Sequence, residues 1–292
     1  MKHCLAIDIG GTKLAAAIVK EGLIVQRVQC ETPHSQSPQQ LIDALSGLLQ
    51  PLIPMADYVA VASTGIINNG VLTALNPANL GGLDQFPLVE ALTLITRLPV
   101  LAINDAQAAA WAEFKQLDSH IQAMVFITVS TGVGAGIVLN GNLMTGARGI
   151  AGHAGHMQAD PNGKQCGCGR IGCVETIASG TAIAQYAKER IGGVSSGKEA
   201  YALFLSGDVQ AKEIVEHSAK TIANLIADLT ITLDLDAVVL GGSVGLAEGY
   251  LDLVNDYVSV MPPIYQPKIV RAKAGADAGL IGVALWSQLQ SL

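Results

Sequence analysis

Residues 149–175, GIAGHAGHMQADPNGKQCGCGRIGCVE, concentrate three of the chain's five cysteines and two of its six histidines. Cys166, Cys168 and Cys173 read C-x-C-x4-C, and His156 stands ten residues before the first of them. Three thiolates and one imidazole form the closed tetrahedral set that a structural zinc ion takes. The intervening Gly167, Gly169 and Gly172 let the backbone bend tightly enough for the sulfurs to converge. A disulfide or scattered free thiols is the plainer alternative, and the glycines and the histidine argue against it. A closed site staples rather than catalyses. His153, one helical turn before His156, and Glu175, two residues after Cys173, are what such a staple would hold in place.

Three glycine turns offer a second chemistry. DIGGTK (8–13) and STGVGAG (130–136) each follow an apolar run, and GGSVG (241–245) ends another. Turns with little side chain let backbone N–H groups approach phosphate oxygens, and a helix start favours an anion. Any hairpin also needs glycine, so one such turn decides nothing. Three in order, two of them in matching hairpins, point to nucleotide phosphates. Neither GxxxxGK[ST] nor GxGxxG occurs in these turns. Asp105 follows the apolar run VLAIN where a helix begins, at the carboxyl edge of a sheet. It can accept a hydroxyl proton during phosphoryl transfer, or merely cap the helix, and spacing alone favours the cap. Asn104 can bond a substrate hydroxyl or close the turn. Asp8, a carboxylate within an apolar strand, reads as a holder of Mg²⁺ or its water shell, because burying it unpaired is costly.

The elements that must position these groups follow from periodicity. Strands are expected at 3–9, 13–19, 58–63, 99–103 and 237–243, with a strand–turn–strand over 123–141. Helices are expected near 38–50, 87–96, 105–115, 179–191, 196–205, 209–232, 246–258 and 277–290, and a loop at 64–82. The hairpins at 3–19 and 123–141 share one grammar about 120 residues apart, which suggests an internal duplication. Mixed strands and helices joined by glycine turns argue an α/β fold.

Composition sets the outer bounds. A chain of 292 residues suits one large or two medium domains. It is 50% hydrophobic and only 14% charged, so it builds a large core and is not disordered. Its net charge of −7, without any basic run, argues against nucleic acid and membrane partners. The apolar start is too short for a signal peptide and Asp8 interrupts it; the run near 240 is too short to span a bilayer. Thiols clustered as metal ligands favour a reducing cytoplasm. Cys4 and Cys30 read as packing residues.

DIGGTK, NDAQAAA, STGVGAG, AGHAGH, CGCGRIGCVE and GGSVG together resemble, in order and spacing, the ROK sugar kinases, and the resemblance runs essentially end to end. The resemblance implies two actin-like, hexokinase-like (ribonuclease H-like) α/β domains with ATP and a sugar in the cleft between them. It implies an N-terminal domain of 1–117 joined by the C-terminal helix 277–292, a larger domain of 118–276 carrying the zinc loop, and a homodimer. Asp105 would be the base activating the sugar hydroxyl. Gly65, Asn79, Asn104, Asp105, His153, His156 and Glu175 would meet the sugar. Asp8, Gly10, Gly11, Thr12, Lys13, Thr131, Gly132, Gly134 and Gly242 would line the ATP and Mg²⁺ side. His156, Cys166, Cys168 and Cys173 would be the zinc ligands.

One departure is informative. Family kinases for glucose-like sugars mostly carry Glu where this chain has His153. Imidazole offers a donor as well as an acceptor, suiting an acetamido carbonyl or an altered hydroxyl. The resemblance, with this histidine, implies phosphorylation of the 6-hydroxyl of N-acetyl-D-mannosamine, and by analogy a place in sialic acid breakdown. Glucose, N-acetylglucosamine, fructose or allose are alternative acceptors. Sugar-responsive repressors of the family precede the DIGGTK-like strand with a DNA-binding domain; here that strand opens the chain, which argues against a regulator. Gln107, where Asn is commoner, has no meaning assignable from sequence.

Overall fold

A computed structural model describes residues 2–33, 37–75 and 80–290. The first stretch of chain forms β1 (Cys4–Ile9), β2 (Lys13–Lys20), β3 (Leu23–Glu31), α1 (Pro38–Leu49), β4 (Tyr58–Ser63), β5 (Ile66–Asn68) and β6 (Val71–Thr73). It continues with α2 (Leu88–Thr96), β7 (Val100–Asn104) and α3 (Asp105–Phe114). Then come β8 (Met124–Val129), β9 (Val133–Leu139), β10 (Asn142–Met144), α4 (Glu175–Ala178), α5 (Gly180–Arg190), α6 (Gly197–Leu205) and α7 (Val209–Leu233). The chain closes with β11 (Ala237–Gly241), α8 (Gly242–Gly245), α9 (Tyr250–Ser259), β12 (Lys268–Arg271) and α10 (Ala278–Ser287).

Two compact units result. One comprises Met1–Leu117, Leu143–Gly152 and Lys273–Leu292; the other comprises Asp118–Asn142 and His153–Ala272. The sequence reading kept 143–152 and 273–276 with the larger C-terminal domain, but both segments pack with the first unit. Gln107 shows why for 143–152, since its amide donates to the carbonyls of Thr145 and Ala151 at 3.4 and 2.9 Å. Lys273 and Ala274 are held by the buried Glu113, which accepts both backbone N–H groups at 2.8–3.0 Å.

The sheet of the first unit runs β3-β2-β1-β4-β7, with β1–β2–β3 antiparallel and β1–β4–β7 parallel. Strands β1 and β4 are almost wholly buried, as central strands covered on both faces must be. The alternation of residue size assigns the faces. Leu5, Ile7, Ile9, Val59 and Val61 join Leu41, Leu45 and Leu49 of α1 in one aliphatic cluster. Cys4, Ala6, Ala15, Ala17, Ala60 and Ala62 make the other face, whose short side chains pack with Ala108 of α3 and Leu280, Val283 and Ala284 of α10.

The second unit repeats the plan. Its sheet runs β10-β9-β8-β11-β12, with β8–β9 antiparallel and β8–β11–β12 parallel. The long α7 covers it through Val215, Ala219, Ile222 and Ile226. The sheet order thus matches the duplication suggested by the hairpins. Several elements depart from expectation. β3, β10 and β12 were not foreseen, and the loop at 64–82 holds the β5–β6 hairpin. The strand expected to 243 stops at Gly241, and the helix expected from 246 starts at Tyr250, after Gly249 with φ of 76°. No helix among the described residues is long and apolar enough to cross a membrane.

Candidate functional site

In the first unit the parallel strands β1, β4 and β7 end on one sheet edge, and the candidate groups gather there. Asp8 continues the series Cys4, Ala6 along β1, so it falls on the alanine face under α10. A Cβ on Gly279, in the first turn of α10, would stand 2.5 Å from Asp8 Oδ2, so a larger residue there would displace the carboxylate. Burial first, then the charges of Asp105 and Asp277, push the Asp8 carboxyl up to about 7, against the pull of Arg27. Arg27 is itself paired with Asp277 at 2.8 Å. The Gly10–Thr12 turn is closed by Gly10 N–H donating to Lys13 O at 3.0 Å. It is backed by the buried Thr32, whose hydroxyl donates to Gly10 O at 2.7 Å and whose N–H donates to Thr12 O. Thr32 was missed because nothing in its local sequence marks it.

Asp105 does not cap α3; Asn104 does. The Asn104 Oδ1 accepts from Ala106 and Gln107 N–H, and Gln107 Oε1 accepts from Asn104 N–H, a reciprocal capping box. The Asn104 Nδ2 donates to the carbonyls of Gly65 and Ser63 at 2.9 and 3.4 Å. Its amide is therefore committed to tying β7 to the end of β4, which also places Gly65. Asp105, freed from capping, is the first helical residue. Burial raises its carboxyl, opposed by the Ala106 N–H at 2.8 Å. Asn79 lies outside the described residues.

In the second unit three glycine-containing segments converge. The 130–132 turn joins β8 to β9, with Ser130 N–H donating to Gly132 O at 2.9 Å. The start of α5 backs it: Gly180 N–H donates to Ser130 O at 2.7 Å, and Thr181 donates to Thr131 O through its hydroxyl at 2.8 Å. Ser130 and Ser243 hydroxyls lie 3.0 Å apart, joining this turn to the Gly241–Ser243 turn, where Gly242 has φ of 87°. Ser179, Gly180 and Thr181 were not foreseen, although small polar residues at a helix start are the available signal; Ser243 lies within the GGSVG turn already read. Gly134 lies inside β9, opposite Thr128, rather than in the turn.

The sulfur cluster assembles in the same unit. The ligand atoms of His156, Cys166, Cys168 and Cys173 all lie within 4.8 Å of one another. Cys168 Sγ is 3.7 Å from Cys173 Sγ, and Cys166 Sγ is 3.5 Å from His156 Nδ1. A zinc tetrahedron has S–S edges of about 3.8 Å and S–N edges of about 3.6 Å, given its bond lengths. The donor set and its spacing therefore fit zinc. Burial and the adjoining Cys168 and Cys166 sulfurs push the Cys173 thiol up to about 12, a crowding that a cation relieves. Arg170 donates to His156 O at 2.8 Å and fixes the backbone of this candidate ligand. The His153 and His156 rings stack with centroids 6.5 Å apart. Glu175 opens α4, and its Oε2 accepts the Val133 N–H at 3.0 Å.

Residues 4–290, nearly the whole chain, match the model of the ROK family. The chain belongs to the ROK family. Among ROK relatives, the N-acetylmannosamine kinase of Escherichia coli O6:K15:H31 (strain 536 / UPEC) is 55% identical over 289 residues, covering 99% of each chain. A ROK hexokinase from Thermus thermophilus superposes with a TM-score of 0.85 at 31% identity, over 98% of both chains. A ROK family glucokinase from Streptomyces griseus, solved with glucose and AMPPNP, gives 0.83 at 28% identity over 99% of this chain and 100% of its own.

Proposed function

We propose that this ROK protein is an ATP-dependent kinase that transfers phosphoryl to the 6-hydroxyl of N-acetyl-D-mannosamine. The observation that carries the reading is the end-to-end 55% identity to a kinase of that sugar. The site supports it. Asp105 stands at the start of α3, where it accepts the hydroxyl proton, and burial keeps its carboxyl basic enough to do so. The glycine turns at 10–12, 130–132 and 241–243 suit the ATP phosphates. Positioning and charge neutralisation supply most of the acceleration in such a transfer. Asp8, crowded by Asp105 and Asp277, fits a magnesium ion, which neutralises phosphate charge when bound. His156, Cys166, Cys168 and Cys173 would hold zinc, which supplies a four-point crosslink for the loop bearing His153 and Glu175. The same reading includes a cytoplasmic homodimer serving sialic acid breakdown.

The test is a panel of N-acetylmannosamine, N-acetylglucosamine, glucose, fructose and allose with ATP and Mg²⁺, run on wild type and His153→Glu. The expected result is the highest kcat/KM for N-acetylmannosamine. His153→Glu should shift the ratio to glucose by about tenfold or more, as gain or loss of a hydrogen-bond match at a polar subsite does. Wild-type preference for glucose ends the substrate assignment. An unchanged ratio in the variant removes His153 from specificity.

A further inference from the structure

The thiol-bearing segment also grips the phosphate turn, and it does so through one residue. Val133 opens β9 directly after the 130–132 turn. Its N–H is taken by Glu175 Oε2 at 3.0 Å. Its carbonyl lies against Gly155, where any Cβ would collide with the Val133 oxygen. Gly155 directly precedes the candidate ligand His156, and Glu175 follows Cys173 by two residues. The Glu175 carboxylate further lies so close over Gly132 that a Cβ there would overlap Oε2. The start of α5 also takes the carbonyls of Ser130 and Thr131, through Gly180 and Thr181.

We propose that Glu175 is a positioning residue for the phosphate turn, acting through the Val133 amide, in addition to any contact it makes with sugar. The inference rests on the kinase reading above. A carboxylate that accepts a backbone N–H makes a charge-assisted bond, about twice as strong as a neutral one. That bond sets the direction of the chain as it leaves the turn. The thiol-held segment thereby shapes the nucleotide side of its unit before any sugar is present.

The experiment measures AMPPNP affinity by calorimetry on the full-length, zinc-loaded protein in the absence of sugar, where a role confined to sugar binding has no effect. Glu175→Ala should weaken AMPPNP about tenfold, the loss of one hydrogen bond to a charged group. Glu175→Gln should weaken it by about threefold or less, because an amide oxygen accepts the same N–H at about half strength. Gly132→Ala should weaken it too, and the double variant Gly132→Ala/Glu175→Ala should fall short of the product of the single effects, since truncation removes the clash. Folded Glu175→Ala with wild-type AMPPNP affinity overturns the proposal. Should that variant not fold, Glu175→Asp replaces it, its shorter side chain withdrawing the carboxylate from the Val133 N–H, and wild-type AMPPNP affinity there overturns the proposal. Wild-type protein that binds no AMPPNP overturns the kinase reading itself, and this inference with it.

Discussion

At the scale of single residues the decisive feature is the split between Asn104 and Asp105. Asparagine takes over the cap, and the aspartate next to it keeps a carboxylate oxygen that the cap does not use. Asp105→Asn should lower kcat about 10²–10⁴-fold, the usual worth of a general base, while sugar affinity measured by titration stays near wild type. Retention of more than about a tenth of the rate would remove Asp105 from the role. The pH profile carries the same information. The base must be ionised to accept a proton, and burial raises its carboxyl from the ordinary value of 3.8. Turnover should therefore fall on the acid side at a higher pH than an exposed aspartate would give, and the limb should vanish in Asp105→Asn.

Elements decide where such residues point. Asn104 holds the start of α3 and, through its Nδ2, the carbonyl of Gly65 beyond β4. Asn104→Ala removes a cap worth about 1 kcal/mol, which thermal unfolding should register as a lowered Tm. It should also lower kcat, because Asp105 sits on the loosened turn; a fall in Tm with unchanged kcat would deny that linkage. The capping box itself was within reach of the sequence, since Asn and Gln stand three apart as in a capping box. It was passed over because Asp105 is an equally good cap by type, and only the fold shows which side chain turns back. Central strands β1 and β4 were legible from their apolar runs, broken in β1 only by Asp8, whereas β3 was not. Leu23 and Val25 on this edge strand are exposed at 71% and 67%, so burial leaves no clean alternation to read. The β5–β6 hairpin escaped for a similar reason, being two strands of three residues each. The convergence of the three cysteines with His156, by contrast, was legible because all four stand within one short, glycine-rich segment.

The whole molecule is one sheet plan used twice, and the hairpin grammar at 3–19 and 123–141 was enough to announce it. Residue assignment to the two units was harder to read. Segments 143–152 and 273–276 join the first unit through Gln107 and Glu113, contacts that have no sequence period. The sulfur cluster lies wholly in the second unit, so the zinc proposed for it would act on that unit's stability. A chelator should release one zinc per chain and lower the Tm by about 4–8 °C for each 2 kcal/mol of lost linkage, with recovery on adding zinc back. An unchanged Tm after complete metal removal would contradict a structural role.

The alanine face of the first sheet has a consequence for biosynthesis. Its cover includes α10, which is synthesised only after the second unit, whose strands and helices are all in place by Ala272. Translation thus delivers the middle of the polypeptide in finished form while the opening strands still wait for their final helix. A nascent chain stalled short of Ala278 should present that alanine surface to chaperones, although everything encoded at its beginning has long been exposed to solvent.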